Sequence, residues 1–227
     1  MKSISEYIQE KLIIKKRKYN YFPKTKKELK NIIIQRIKTE GNEGDFNDID
    51  TSEITDMSDL FYTLYDFNGD ISQWDVSNVT DMHRMFYWCK KFNKNISKWD
   101  VSNVTDMRYI FFGCKLFNQD ISSWDVSNVT SMDFTFWQCN IFNQDISRWD
   151  VSNVTSMSFM FDGCHKFNKD ISKWDVSNVT NMCFMFNDCY AFNQNISKWY
   201  VSNVNNIKID HMFDKCPIKE KYKPKFK

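Results

Sequence analysis

The chain is short of the residues that most often interrupt regular structure, with 5 Gly and 3 Pro among 227 residues. That scarcity excludes collagen-like and low-complexity character. Histidine is scarce too: His83, His165 and His211 are the whole supply, and they fall at different points of the pattern described below. There is no Gly-rich phosphate loop, no Gly-x-Ser-x-Gly elbow and no His-Glu-x-x-His motif, so the usual nucleotide, acyl-transfer and zinc-hydrolase signatures are missing. None of the 7 Cys stands in the close Cys-x-x-Cys type of pair that metal sites favour, so no metal and no cofactor is expected. No apolar run is long enough to span a bilayer, and no membrane association is expected. Residues 1–14 include Glu6, Gln9, Glu10 and Lys11 where a secretory leader needs an apolar stretch. The expected location is therefore intracellular.

What is present is periodicity. Trp74, Trp99, Trp124, Trp149, Trp174 and Trp199 follow one another at a constant step of 25 residues. Around each lies the same unit, which from Ile96 reads Ile-Ser-Lys-Trp-Asp-Val-Ser-Asn-Val-Thr-Asp-Met, then a Phe-x-x-Cys-x-x-Phe-Asn close. A degenerate first copy has Phe46, Ile49, Ile54, Met57, Phe61 and Leu64 in the matching columns. The last copy carries two extra residues between Val204 and Phe213. Such a unit cannot bury its apolar face alone, so neighbouring units must stack, with atypical ends as caps.

Within the unit, Ile71, Trp74, Val76 and Val79 are spaced three, two and three apart. Trp74 and Val76 would share one face of a short strand and Asp75 the other. Met82, Met85, Phe86, Cys89 and Phe92 step by three and four, which suits a helical turn facing the same core. The expected fold is an α/β repeat solenoid: about seven right-handed, leucine-rich-repeat-like coils of 25 residues, a parallel sheet on one wall and short helical turns on the other. The expected divisions are a basic helical N-terminal cap (1–43), the repeats (44–216) and a basic tail (217–227).

The motifs Trp99-Asp-Val-Ser-Asn-Val-Thr-Asp-Met107 and Phe111-x-x-Cys114-x-x-Phe117-Asn118, with their copies over residues 44–216, resemble the BspA-type leucine-rich-repeat family. The closer likeness is to its roughly 25-residue surface-protein repeat of mycoplasmas and giant viruses. The segments Tyr21–Lys30 and Asn47–Thr51 resemble giant-virus members in particular. The resemblance implies a solenoid and a non-catalytic role. One departure is that Asn78 lies one residue before the position where leucine-rich repeats place Asn, so the usual asparagine ladder is not implied.

Charge is unevenly spread. Residues 1–40 carry 12 Lys/Arg against 4 Asp/Glu, residues 41–204 carry 12 against 22, and residues 205–227 carry 7 against 3. Solvated caps that keep a stack soluble explain this, and so does docking of the basic end on an acidic surface. Ser3–Ile14 can form a short amphipathic helix. Thr25-x-x-Glu28 is a capping box and Gly41 a stop, so a helix is expected over 26–39 with Leu29, Ile32, Ile33 and Ile37 covering the first coil. Lys15, Lys16, Arg17 and Lys18 form a basic patch whose alternative reading is a nucleic-acid contact.

Three columns could carry function. Cys89, Cys114, Cys139, Cys164, Cys189 and Cys216 align, with Cys183 extra, and read as reduced core thiols, inter-coil disulfides being the alternative. Asp75, Asp100, Asp125, Asp150 and Asp175 form an acidic strip beside Lys98, Arg148, Lys173 and Lys198. Neutralisation by those bases, capping of the following Ser-Asn turn, and capture of a cation or basic partner all fit. Tyr62, Tyr87, Phe112 and Trp137, with Trp88 beside them, are either extra core or an aromatic patch for a partner. A second stripe, Arg84, Tyr109, Phe134, Phe159 and Phe184, is expected to be buried. The expected function is a non-catalytic scaffold for protein–protein interaction, acting as a monomer. Nucleic-acid association through the basic segment is the alternative.

Overall fold

The computed structural model describes Ile4, Ile8, Lys11, residues 18–204 and residues 209–226. Most of the expected Ser3–Ile14 helix, and Lys15, Lys16 and Arg17, lie outside the described residues. The helix α1 (Lys26–Glu40) precedes the repeats, and a 3-10 turn (Glu220–Tyr222) follows them.

The repeats stack in register, but the expected parallel sheet and helical turns do not form. Among the described residues there is no extended strand in the repeats. What links the coils in the ladder sense is a column of isolated parallel bridges running Asp56, Asp81, Asp106, Ser131, Ser156 and Asn181, with one further bridge, Asp45 to Asp70, at the start of the stack. Each coil is instead a chain of tight turns. In the second coil (71–95), Trp74 donates its N–H to Ile71 O, Val79 to Val76 O, Met85 to Met82 O, Cys89 to Phe86 O and Phe92 to Cys89 O. Residues i and i+3 of a turn lie close together, so both can point inward while i+1 and i+2 point out. Ile71, Trp74, Val76, Val79, Met82, Met85, Phe86, Cys89 and Phe92 are all buried, while Gln73 and Asn78 are exposed. The three-residue spacing is thus the chord of a turn, and the reading of Trp74 and Val76 as one face of a strand is corrected.

Asp residues set these turns. Asp70 Oδ1 accepts the N–H of Ser72 (2.9 Å), Asp75 Oδ1 that of Ser77 (3.1 Å) and Asp81 Oδ1 that of His83 (2.8 Å). A short carboxylate that bonds its own backbone two residues on fixes the turn without glycine. This is how a chain with so few glycines makes so many corners.

The core is aromatic. Phe61, Phe86, Phe111, Phe136, Phe161, Phe186 and Phe213 stack coil upon coil at 5.2–5.8 Å between centroids. A second ladder, Phe67 to Phe192, packs beside it, with Phe86 and Phe92 only 4.0 Å apart in one coil. Side-chain donors tie the coils together at the carbonyls. The indoles of Trp74, Trp99, Trp124, Trp149, Trp174 and Trp199 each donate to a carbonyl of the preceding coil, as Trp124 Nε1 does to Ile96 O (3.1 Å). Two asparagine ladders run along the stack. Asn103 Nδ2 donates to Ser77 O (2.7 Å), and Asn93 Oδ1 accepts from Asn118 N (2.9 Å), with copies in neighbouring coils.

Backbone bonds between coils run backward in the Thr column, where Thr105 donates to Thr80 O and Thr80 to Thr55 O, and forward in the row that follows it. Met82, Arg84, Phe86 and Trp88 donate forward to Asp106, Arg108, Ile110 and Phe112. In the last coil the equivalent N–H groups of His211, Phe213 and Lys215 have no acceptor among the described residues. At the other end α1 closes the first coil. Its N-cap Thr25 accepts from Glu28 N, and Gly41 ends it with φ 83°. Leu29 and Ile33 are fully buried, and Ile32 and Ile37 pack on the core. Lys26 Nζ reaches Asp56 and Ser58 (both 2.7 Å) and Lys30 Nζ reaches Asp59 O (2.8 Å), bringing donors to the acceptor edge. Arg36 anchors the helix end on Glu40, Asp48 and Asp45 O, and these carboxylates raise its pKa.

Candidate interaction surface

The cysteine column is part of the core. Cys89, Cys114, Cys139, Cys164 and Cys189 are free and buried. Cys114 Sγ–H donates to Phe86 O at 3.0 Å, and its copies do likewise. Burial raises every one of these thiols well above its ordinary value. The column therefore wants more than a small apolar group: it supplies a second donor to a carbonyl that also caps a turn. Leu64, in the first coil, lacks that donor.

The acidic strip caps turns. Asp100 Oδ1 accepts from Ser102 N (3.1 Å) and Oγ (2.6 Å), and Asp125 and Asp150 from Ser127 and Ser152 N (3.0 Å each). Asp175 does the same with Ser177 N at 3.0 Å. The serine bonds are the leading cause of the lowered pKa of Asp100, Asp125 and Asp175. A polar cleft of about 350 Å³ opens nearby, lined by Asp120, Ser122, Gln144, Asp145 and Arg148. Among the described residues no three His, Cys, Asp or Glu side chains are placed to hold a metal, and no helix is long and apolar enough to cross a membrane. Of the basic patch only Lys18 is described; it is exposed, with its ammonium over the Tyr19 ring.

The aromatic columns form a layer of their own. Tyr62, Tyr87, Phe112 and Trp137 stack in sequence at 5.3, 4.6 and 4.1 Å. Trp88 meets Phe112 and Trp137 edge-on. Beside them Tyr109, Phe134, Phe159 and Phe184 stack at 4.5–4.7 Å and end on the His211 imidazole. Tyr109–Phe112 and Phe112–Phe134 contacts join the two rows. Apart from Phe112, which is buried, none of these nine aromatic residues belongs to the buried core or to the side chains packed against it. Tyr62 is exposed, Phe112 is covered and the rest are half-buried. The expectation that the Tyr109–Phe184 stripe is buried is thus corrected. The turn geometry explains it, because these residues occupy turn positions that face away from the core.

Their backbone is also unusual. Tyr109, Phe134, Phe159 and Phe184 have φ of 59, 57, 55 and 55°, and Trp88 has φ 61°. That left-handed region costs an L-residue about 1–2 kcal/mol, and glycine would occupy it freely. Glycine does stand at Gly113 and Gly163 in the Trp88 column. The first row ends at Asp162, a buried carboxylate that accepts from Trp137 Nε1 (3.0 Å) and Asn187 Nδ2 (2.8 Å). Burial raises its pKa.

The family described as "Mycoplasma protein of unknown function, DUF285" matches residues 28–147 and again residues 121–223. The chain belongs to the DUF285 family. The overlapping matches reflect the 25-residue repeat, which lets the same pattern align in more than one register. Membership supports a repeat protein without carrying the leucine-rich-repeat assignment, and the turn-built coils of this DUF285 chain do not carry it either. No curated protein and no solved structure matches the chain.

Proposed function

We propose that this DUF285 chain is a non-catalytic protein-interaction scaffold whose working surface is the outer aromatic layer. The observation that supports this is the placement of Tyr109, Phe134, Phe159 and Phe184 at positive φ, outside the core. The same turn position has positive φ in every coil, Asp59, Arg84 and His211 included, and large rings at four of these positions, where glycine would fit better, are the kind of outlier from which function is inferred. A contiguous half-exposed aromatic surface is what interfaces are made from. The rings stack on one another, so their faces are largely used up and their edges face outward. This suits a flat partner surface better than a stacked base or sugar.

The test is affinity capture by the tagged chain from its native lysate at low and moderate salt. Wild type is compared with a Tyr87→Ser, Trp137→Ser variant and a Phe134→Ser, Phe159→Ser variant, each checked for folding. Partners held by wild type and lost by both variants support the reading. Partners retained unchanged by both remove it.

A further inference from the structure

The charges bordering the aromatic layer are not random along the stack. At the second and third coils the border is basic: Arg84, Lys90, Arg108 and Lys115. Lys90 Nζ lies 5.5 Å from the Trp88 ring centroid, and Arg84 points its guanidinium toward Tyr62. At the sixth and seventh coils the border is acidic: Asp188, Asp210 and Asp214. Local pairs (Arg84–Asp59, Arg108–Asp106, Lys215–Asp188, and His211 with both Asp210 and Asp214) reduce the charge at both ends but leave the Lys90, Lys115 and Asp210 side chains exposed to solvent. Between the two ends lie Phe134, Trp137 and Phe159, half-buried and with no bordering Lys or Arg on the fourth coil's turn segment, 131–141. A surface that is basic at one end, aromatic in the middle and acidic at the other is complementary to itself after a half-turn about an axis through its centre.

We infer that the occupant of the aromatic layer is a second copy of this chain, docked antiparallel about a two-fold axis between the fourth and fifth coils. This rests on the aromatic layer being an interaction surface. The half-turn sets the second coil of one copy against the seventh of the other and the third against the sixth, so Lys90 faces Asp210 and Asp214, and Lys115 faces Asp188, twice over. The aromatic rows cross in the middle. An isologous contact of this kind closes at two copies and uses one patch on both. Stacking end to end is disfavoured by contrast, because α1 and its lysines occupy the acceptor edge that a donor edge would need.

Sedimentation velocity on the full chain, over a concentration series reaching about 100 µM, tests this. Wild type is expected to form a dimer that weakens as salt rises. Lys90→Glu makes the second-to-seventh-coil contact acid-on-acid in both its copies, and Asp210→Lys with Asp214→Lys makes it base-on-base in both. Each variant alone is expected to be monomeric, and an equimolar mixture of the two to dimerise again, since every contact is then of opposite sign. A wild type that stays monomeric across the series, reversed variants that dimerise as well as wild type, or a mixture that stays monomeric overturns the inference. If wild type is monomeric while the Phe134→Ser, Phe159→Ser variant still loses captured partners, the second copy is refuted and the interaction surface stands. If that variant keeps both dimer and partners, the surface itself is refuted.

Discussion

Phe159 and Phe161 are two residues apart, are the same residue type and stack on the same two neighbouring coils. The structure nevertheless gives them different work. Phe161 is fully buried, stacked on Phe136 and Phe186 and lying 4.2 Å from Phe167. Phe161→Ala removes a whole ring from the core and leaves a cavity that both neighbouring coils border, so it should cost about 3–5 kcal/mol. Phe159 is half-buried and meets only Phe134 and Phe184. Two such ring pairs are worth roughly 0.5–1.5 kcal/mol each, so Phe159→Ala should cost about 1–3 kcal/mol. Alanine keeps the backbone penalty at φ 55°, which isolates the ring; Phe159→Gly relieves that penalty and should be no worse than Phe159→Ala. Guanidinium unfolding at one pH, followed by Trp fluorescence, measures all three. Equal losses for Phe159→Ala and Phe161→Ala would mean that the outer rows are core, and the argument for a separate working layer would fail.

Other outcomes are expected. Because burial raises the pKa of Asp162, the folded state holds its proton to higher pH than the unfolded chain does. Stability should therefore fall as pH climbs from the ordinary carboxylate value of about 3.9 through the raised one, and Asp162→Asn should remove that slope in a pH series of urea melts. Asp100, Asp125 and Asp175 act in the opposite sense: their turn-capping contribution is complete above about 3.9 and is lost as pH falls through their lowered values. In native alkylation at pH 8, read by mass spectrometry, Cys114, Cys139 and Cys164 should stay unmodified until the protein is unfolded; labelling at the rate of a free thiol would contradict their burial. Asn128→Ala removes the donor to Ser102 O and should cost about 0.5–1.5 kcal/mol, measured against Asn203→Ala in the last coil.

The number of coils and the inward columns could be read from spacing alone, because stacking fixes which positions repeat. How each coil is made could not be read from apolar spacing. A pair of buried residues three apart is produced equally by one turn of helix, by a leucine-rich strand corner and by a β-turn. The discriminating signal was polar. Asp70-Ile-Ser-Gln-Trp74 is followed at once by Asp75-Val-Ser-Asn-Val79, and then by Asp81-Met-His-Arg-Met85. Each begins with a carboxylate placed to cap the turn it precedes. The acidic column was weighed as a strip on a strand, and once the strand is gone its turn-capping geometry is what remains. The Tyr109–Phe184 row was misjudged for a related reason. Persistence along the stack suggested burial, but with turns in place of helices those positions swing outward.

The forward direction of one row of inter-coil bonds bears on how the chain is made. Helix α1 precedes the repeats in sequence, so it leaves the ribosome first and can seat against the first coil as soon as that coil appears. From then on every finished coil presents the N–H row represented by Met82, Arg84, Phe86 and Trp88, and the carbonyls that satisfy it belong to the coil synthesised next. The nascent protein thus always carries a fresh template facing the segment about to emerge, 25 residues at a time. Synthesis and assembly run in the same direction along the molecule.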